Sequence, residues 1–298
     1  MFEGVFPAIV TPFNEDESID FKSLTGLVDY LINSGIHGLV TCGTTGESTS
    51  LSREERIQLN QHVVKQVNSR IPVIAGVGTN LTVSTIQFAQ DAEKTGIDGL
   101  LVITPYYNKP TPEGLFRHFT AVAEKTKLPI ILYNVPSRTG VNIDTDTLEK
   151  LSHNPRIVQL KEASGSLDQI TSFIRICGEK IGILSGDDPL TYPILAIGGK
   201  GVISVSANIV PEKIVQMYHS FTVGDLQTAR GLHEELYPIN KAMFIETNPI
   251  PVKTALSMIG LVKPVFRLPL TPMRDKNQNL LKQILSEYKL IENKGNRN

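Results

Sequence analysis

The chain has 298 residues, too many for one small core and enough for a single large barrel or two domains. Its hydrophobic content of 41% is that of an ordinary globular protein, and 29 basic against 30 acidic residues give no electrostatic reason to expect nucleic acid or an anionic membrane as partner. Two cysteines, Cys42 and Cys177, argue against a disulfide scaffold and make the cytoplasm the default compartment, and six histidines with no HxxH or HExxH spacing, and no CxxC, argue against a metal site.

The opening MFEGVFPAIVTPF lacks a basic n-region and carries Glu3 and Pro7, so it does not read as a signal peptide, and no apolar stretch is long enough to span a bilayer. Apolar runs ending in polar or glycine-rich loops then follow one another along the chain. They begin near Val5 (VFPAIVTPF), Gly38 (GLVTCGTTGE), Pro72 (PVIAGVGTN), Asp98 (DGLLVITPYY), Pro129 (PIILYNVPSRTG), Ile157 (IVQLKEASG), Ile181 (IGILSGDD) and Gly201 (GVISVSAN). Helical patterns lie between them. In LSREERIQLNQHVVKQV, Ser52 and Glu55 fit a capping box; in TPEGLFRHFTAVAEK, Thr111 is the expected N-cap, with Pro112 at the first helical position. Near-continuous apolar strands alternating with amphipathic helices predict an α/β fold with a parallel sheet covered by helices, and about eight such units fit a (β/α)₈ TIM barrel better than an open sheet.

From about Asp225 the strand signals stop. DLQTARGLHEELYPINKAMF, PIPVKTALSMIG and NLLKQILSEYKLIENK read as helices, which predicts a barrel carrying the active site over residues 1–224 and an α-helical C-terminal domain over 225–298. The last residues, KGNRN, read as disordered.

Barrel enzymes place their chemistry at the C-terminal ends of the strands. Here those ends carry GTTGES, PYYN, YNVPSRTG, KEASG and SGDD, whereas the opposite ends carry plain connectors such as SGIH, KTGID and KTKLP. Strand alternation puts Val158 and Leu160 on one face of the sixth run and Ile157, Gln159 and Lys161 on the other. The wholly apolar face must pack on helices, so Lys161 points into the barrel at its active end. The competing reading is a lysine that snorkels from a strand end. An amine in that position attacks a carbonyl only when neutral. A desolvation shift of three units, at about 1.4 kcal/mol each, would supply about 4 kcal/mol toward the reactive form, as in Schiff-base lysines.

Tyr133 ends the preceding strand and could serve as acid or base, or simply as a core aromatic. GTTGE offers hydroxyls and backbone N–H groups just before a helix, suited to a carboxylate, or is a plain turn. Arg138 could grip a second carboxylate, or lie on the surface. Cys42 has no histidine base and reads as a small buried residue.

Together GTTGE, PYYNKP, YNVPSRTG and KEASG, in this order and spacing, resemble the dihydrodipicolinate synthase family over essentially the whole chain. That family belongs with the pyruvate-dependent class I aldolases, which include N-acetylneuraminate lyase. The resemblance implies a Schiff-base condensation of pyruvate with L-aspartate 4-semialdehyde in lysine biosynthesis, without cofactor or metal, in a homotetramer built as a dimer of tight dimers. It implies that Lys161 forms the Schiff base and that Tyr133 is the central acid/base. Thr44 and Tyr107 would complete a proton relay, with Tyr107 supplied by a neighbouring subunit. Thr45 would bind the pyruvate carboxylate, Arg138 the carboxylate of the semialdehyde, and backbone at Gly186 and Ile203 would line the pocket. Sialic-acid lyases lack an arginine at the position of Arg138, so SRTG favours the synthase over a lyase or a sugar-acid aldolase or dehydratase. A non-catalytic binding barrel is the alternative of another class.

Two departures stand out. Ser48, Asn80 and Tyr106 match the lysine-inhibited members, but Ser84 stands where those carry a glutamate, and Arg53 and Arg56 where histidines are usual. Two extra cations and a lost carboxylate predict weak or absent inhibition by lysine. Gln159 replaces the usual glycine before the lysine, with filling of the barrel as its only evident role.

Overall fold

A computed structural model describes residues 2–292, so the KGNRN tail lies outside the described residues. Eight strands form one parallel sheet: β1 (Gly4–Pro7), β2 (Leu39–Thr41), β3 (Val73–Gly76), β4 (Gly99–Ile103), β5 (Ile130–Asn134), β6 (Ile157–Glu162), β7 (Gly182–Ser185) and β8 (Gly201–Ser204). Each pairs with its sequence neighbour, β1 pairs with β8, and an Ala8–Val40 bridge joins β1 to β2, so the sheet curls into a near-closed barrel. All eight predicted strands form, within a residue or so of the expected start.

The barrel helices are α1 (Phe21–Asn33), α2 (Arg53–Val67), α3 (Thr82–Glu93), α4 (Pro112–Ala123), α5 (Pro136–Thr139), α6 (Thr145–Leu151), α7 (Leu167–Cys177), α8 (Thr191–Ala196) and α9 (Pro211–Thr222). The expected caps are made. Ser52 accepts from the Glu55 amide while the Glu55 side chain reaches back to the Ser52 amide, and Thr111 accepts from Gly114 ahead of Pro112. Helices α10 (Leu226–Ala242), α11 (Ile250–Met258) and α12 (Asp275–Glu287) follow. Their buried faces, including Leu236, Leu256 and Leu285, join the same apolar cluster as the layer between strands and barrel helices. Among the described residues no helix is long and apolar enough to cross a membrane.

Alternation along the strands makes two apolar layers. Val5, Leu132, Leu160 and Ile183 face the helices. Phe6, Ile74, Ile131, Tyr133, Leu184 and Ile203 fill the interior. β6 departs from simple alternation. The β5 register runs Ile130 to Ile157 and then Ile131 to Gln159, so one residue is extra in β6. This bulge sends Ile157 to the outer layer beside Leu160 and leaves Val158 only half-buried. The expected facing of Ile157 and Val158 is therefore corrected. Gln159, Leu160 and Lys161, beyond the bulge, keep theirs.

Gln159 now has a physical account. Its carboxamide accepts from the Phe2 amide at 3.0 Å and donates to the Phe2 carbonyl, at the end of the barrel away from the polar loops. The Phe2 ring lies so close to β4 that a Cβ on Gly99 would come within 2.8 Å of it. The N-terminus thus stoppers the barrel floor, and Gln159 holds the stopper.

Candidate active site

Lys161 is the next-to-last residue of β6, in register with Tyr133 on β5 and Leu184 on β7. The strand ends are tied from the outer side. Glu162, fully buried, accepts from Asn134 Nδ2 at 2.9 Å and the Ser164 amide at 2.7 Å, and Asn134 in turn accepts from the Ile143 amide. With Glu162 and Asn134 locked outward, pleating directs Lys161 and Tyr133 inward. Lys161 is 6% exposed, and its amine sits 4.1 Å from the centre of the Tyr133 ring. It lines a cavity of about 530 Å³ and has no carboxylate ion-pair partner among the described residues. Burial draws its pKa from the ordinary 10.5 down to about 7; the Asp188 carboxylate opposes this and the Arg138 guanidinium adds to it. Asp188 itself is buried beneath the site, accepting from Ser204 Oγ and from the Val205 and Ser206 amides.

The lysine stem needs Gly186. A Cβ there would lie 3.0 Å from Lys161 Cε and 2.9 Å from the Ala163 Cβ, so this strand end leaves room for one long side chain only. Burial pushes the Tyr133 hydroxyl up to about 12, against the opposing pull of Arg138 and of the Thr44 hydroxyl.

GTTGE forms a tight turn, with the Gly46 amide bonded to Gly43 O at 3.1 Å, the Glu47 amide to Thr44 O at 3.1 Å, and Thr11 Oγ1 to Gly46 O at 2.7 Å. The amides of Thr44 and Thr45 donate to no group among the described residues, and both residues line the cavity. Two successive free N–H groups make an anion-binding concavity. A helix terminus does not contribute as expected, because a 3₁₀ turn over Ser48–Ser50 and the Ser52 cap separate the loop from α2. Thr45 Oγ1 accepts from Asn248 Nδ2 at 3.1 Å, and Arg138, on α5, donates to the Asn248 carbonyl at 3.3 Å.

A second chamber of about 250 Å³ shares Thr44, Tyr133 and Arg138 with the first. Its far side holds Ser48, Arg56 and Tyr106. Arg56 stacks on Phe88 with its guanidinium carbon 4.5 Å from the ring centre and donates to the Ser48 carbonyl. Nearby Arg53 grips Asp91 through two hydrogen bonds of 2.6 and 2.8 Å. Cys42, also on this chamber, is buried, and its thiol is pushed up to about 11, a poor nucleophile.

The model of the dihydrodipicolinate synthetase family covers residues 1–288. The chain belongs to that family. It is an enzyme of the lyase class. A 4-hydroxy-tetrahydrodipicolinate synthase from Thermodesulfovibrio yellowstonii is 51% identical over 292 residues, covering 98% of this chain and 100% of the relative. The crystal structure of dihydrodipicolinate synthase from Aquifex aeolicus superimposes with a TM-score of 0.96 at 43% identity, covering 98% of this chain and 100% of that one. A chloride-inhibited dihydrodipicolinate synthase from Acinetobacter baumannii, complexed with pyruvate, gives a TM-score of 0.96 at 40% identity over 98% of this chain and 100% of its own.

Set against family expectation, one subunit brings together Lys161, Tyr133, Thr44, Thr45, Arg138 and Gly186 around one cavity. Ile203 lies among the inner barrel side chains, and Val205 is the residue of that strand end which lines the cavity. Tyr107 is 90% exposed at a φ of 74° and lines neither chamber. The sequence reading missed Asn248 and Asn240, both buried on the cavity wall with an unpartnered Oδ1. Neither lies in one of the strand-end motifs, and nothing in the polar stretch around them marks them in advance.

Proposed function

We propose that the chain condenses pyruvate with L-aspartate 4-semialdehyde to 4-hydroxy-tetrahydrodipicolinate through a Schiff base on Lys161. The observation that carries this is a buried amine without a carboxylate partner, brought to about 7 at the wall of a polar cavity. The neutral amine adds to the keto carbon of pyruvate, and loss of water gives an imine. The imine withdraws electrons, so the adjacent methyl loses a proton and becomes an enamine. The enamine carbon attacks the aldehyde of the second substrate. That substrate's amine then attacks the imine carbon, closes the ring and releases Lys161.

In this reading Tyr133 moves the protons at each step, relayed through Thr44 and through Tyr107 of a neighbouring subunit. The Thr44 and Thr45 amides and the Thr45 hydroxyl take the pyruvate carboxylate. Arg138 takes the carboxylate of the semialdehyde, in the bidentate manner its planar fork allows. Gly186 and the backbone at Ile203 shape the wall. Residues 1–224 carry this site as the barrel domain, with 225–298 as the helical domain. We place the enzyme in the cytoplasm, in lysine and diaminopimelate synthesis, and needing neither metal nor cofactor.

Borohydride added with pyruvate should leave a stable adduct on Lys161, and an unmodified lysine would sink the reading in favour of a binding barrel. Aspartate semialdehyde against N-acetylneuraminate in coupled assays separates the synthase from a sialic-acid lyase.

Lysine should inhibit weakly. Arg53 and Arg56 add two cations, and Ser84 offers no carboxylate for an incoming ammonium. Initial rates unchanged by millimolar L-lysine are expected, and strong inhibition would refute this. We also propose the dimer-of-dimers tetramer. The exposed Tyr107 is tied to the start of α3 by the Asn108-to-Asn80 hydrogen bond of 2.8 Å, close to exposed Leu81 and Val83, which supports a subunit contact there. Sedimentation showing a monomer would exclude a relay through a neighbour's Tyr107.

A further inference from the structure

Beside the cavity lies a buried charged cluster that the Schiff-base chemistry does not use. Glu47, last residue of GTTGE, and Lys253, on α11, are fully buried and meet at 2.6 Å. The Lys253 amine also lies 4.1 Å from the Phe13 ring centre and 5.1 Å from that of Phe266. A second cation backs this pair. The Arg267 amide donates to Glu47 at 3.4 Å, and its guanidinium grips Glu55 at 2.5 and 2.8 Å and the Ser50 carbonyl at 2.8 Å.

The pair holds the turn in an unusual state. Glu47 has a φ of 52°, in the left-handed region that a residue with a side chain keeps only when its surroundings enforce it. Its amide bonds to the Thr44 carbonyl, so Glu47 also closes the turn that leaves the Thr44 and Thr45 amides free. The segment that carries Lys253 touches the loop a second time, where Asn248 donates to Thr45 Oγ1. The loop is therefore fastened to the C-terminal helices at both its hydroxyl and its far end.

We propose that Glu47 and Lys253 are a positioning pair for the carboxylate-binding turn, so that helix α11 sets how well pyruvate binds without touching it. This deepens the proposed function and rests on it. The pair's charge is buried, so Lys253→Met alone would strand the Glu47 carboxylate and threaten the fold. The deciding variant is E47Q/K253M, in which both charges go and side-chain volume is nearly kept.

The expected result is a folded, tetrameric enzyme whose KM for pyruvate rises at least tenfold, while kcat at saturating pyruvate and the pH midpoint for Lys161 stay within about threefold and a few tenths of a unit. A KM within twofold of the parent would overturn the proposal and leave the pair as fold support only. Loss of the folded state in E47Q/K253M would overturn it equally, since the pair would then be required for folding. Failure of the underlying reading is separate: it would appear as no borohydride-trapped pyruvate on Lys161 in the unaltered protein.

Discussion

Lys161 and Lys253 are both buried, and each holds its amine 4.1 Å from the centre of an aromatic ring, Tyr133 for one and Phe13 for the other. Burial lowers the pKa of both, to about 7 and about 8. What separates them is a carboxylate. Glu47 lies 2.6 Å from Lys253, sealed from solvent, whereas Lys161 faces a cavity with no such partner. A ring face suits a cation and also lets the neutral amine stay, so stacking alone does not decide a lysine's task. A contact carboxylate fixes Lys253 as a structural cation; without one, beside a cavity, Lys161 is free for the nucleophilic role proposed above.

Substitution by methionine, which keeps most of the stem, should break the comparison in opposite directions. In the largest effect, Lys161→Met should lower kcat/KM by about 10⁴-fold or more and abolish the pyruvate adduct, while Lys253→Met, wherever it folds, should still form one. In the parent enzyme kcat/KM should climb with pH through about 7 as the Lys161 amine loses its proton. A flat profile from pH 5 to 9, a range spanning about two units either side of that midpoint, would place the reactive amine elsewhere.

Next in size, Lys253→Met should destabilise the fold by about 3–5 kcal/mol in urea unfolding, because it leaves a buried charge alone, and adding Glu47→Gln should restore most of that. Third, Lys161→Met should stabilise the fold at pH 7, by roughly 4 kcal/mol, since it removes an amine that burial disfavours in its charged form. The unfolded amine titrates near 10.5 and the folded one near 7, so between those values the unfolded chain binds more protons and parent stability rises with pH. The advantage of Lys161→Met should therefore shrink toward pH 10; an advantage independent of pH would implicate packing. The smallest effect is Gly186→Ala, whose Cβ would press on the Lys161 stem at 3.0 Å. It should slow turnover by about tenfold and destabilise the fold by about 1–3 kcal/mol, because the new Cβ also presses on the Ala163 Cβ.

The barrel was legible because its signal is local. Apolar runs, capping residues and the clustering of polar loops at one set of strand ends all lie within short stretches, and Lys161, Tyr133 and Arg138 each sit at such an end. The facing of Ile157 and Val158 was not legible, because a bulge depends on how β5 and β6 register, and strand parity assumes there is none. Nor was the task of Gln159, since the groups it binds belong to Phe2, 157 residues away. Asn248 was missed for the same reason: its partner Thr45 is 203 residues distant.

The amino-acid order by itself determined the eightfold βα alternation, the polar face and the inward aim of Lys161, because periodicity and pleating act over a few residues. Tertiary structure alone decided which lysine stays unpaired. Glu47 meets Lys253 across 206 residues, and only a folded chain brings a carboxylate to one buried amine and, among the described residues, none into contact with the other.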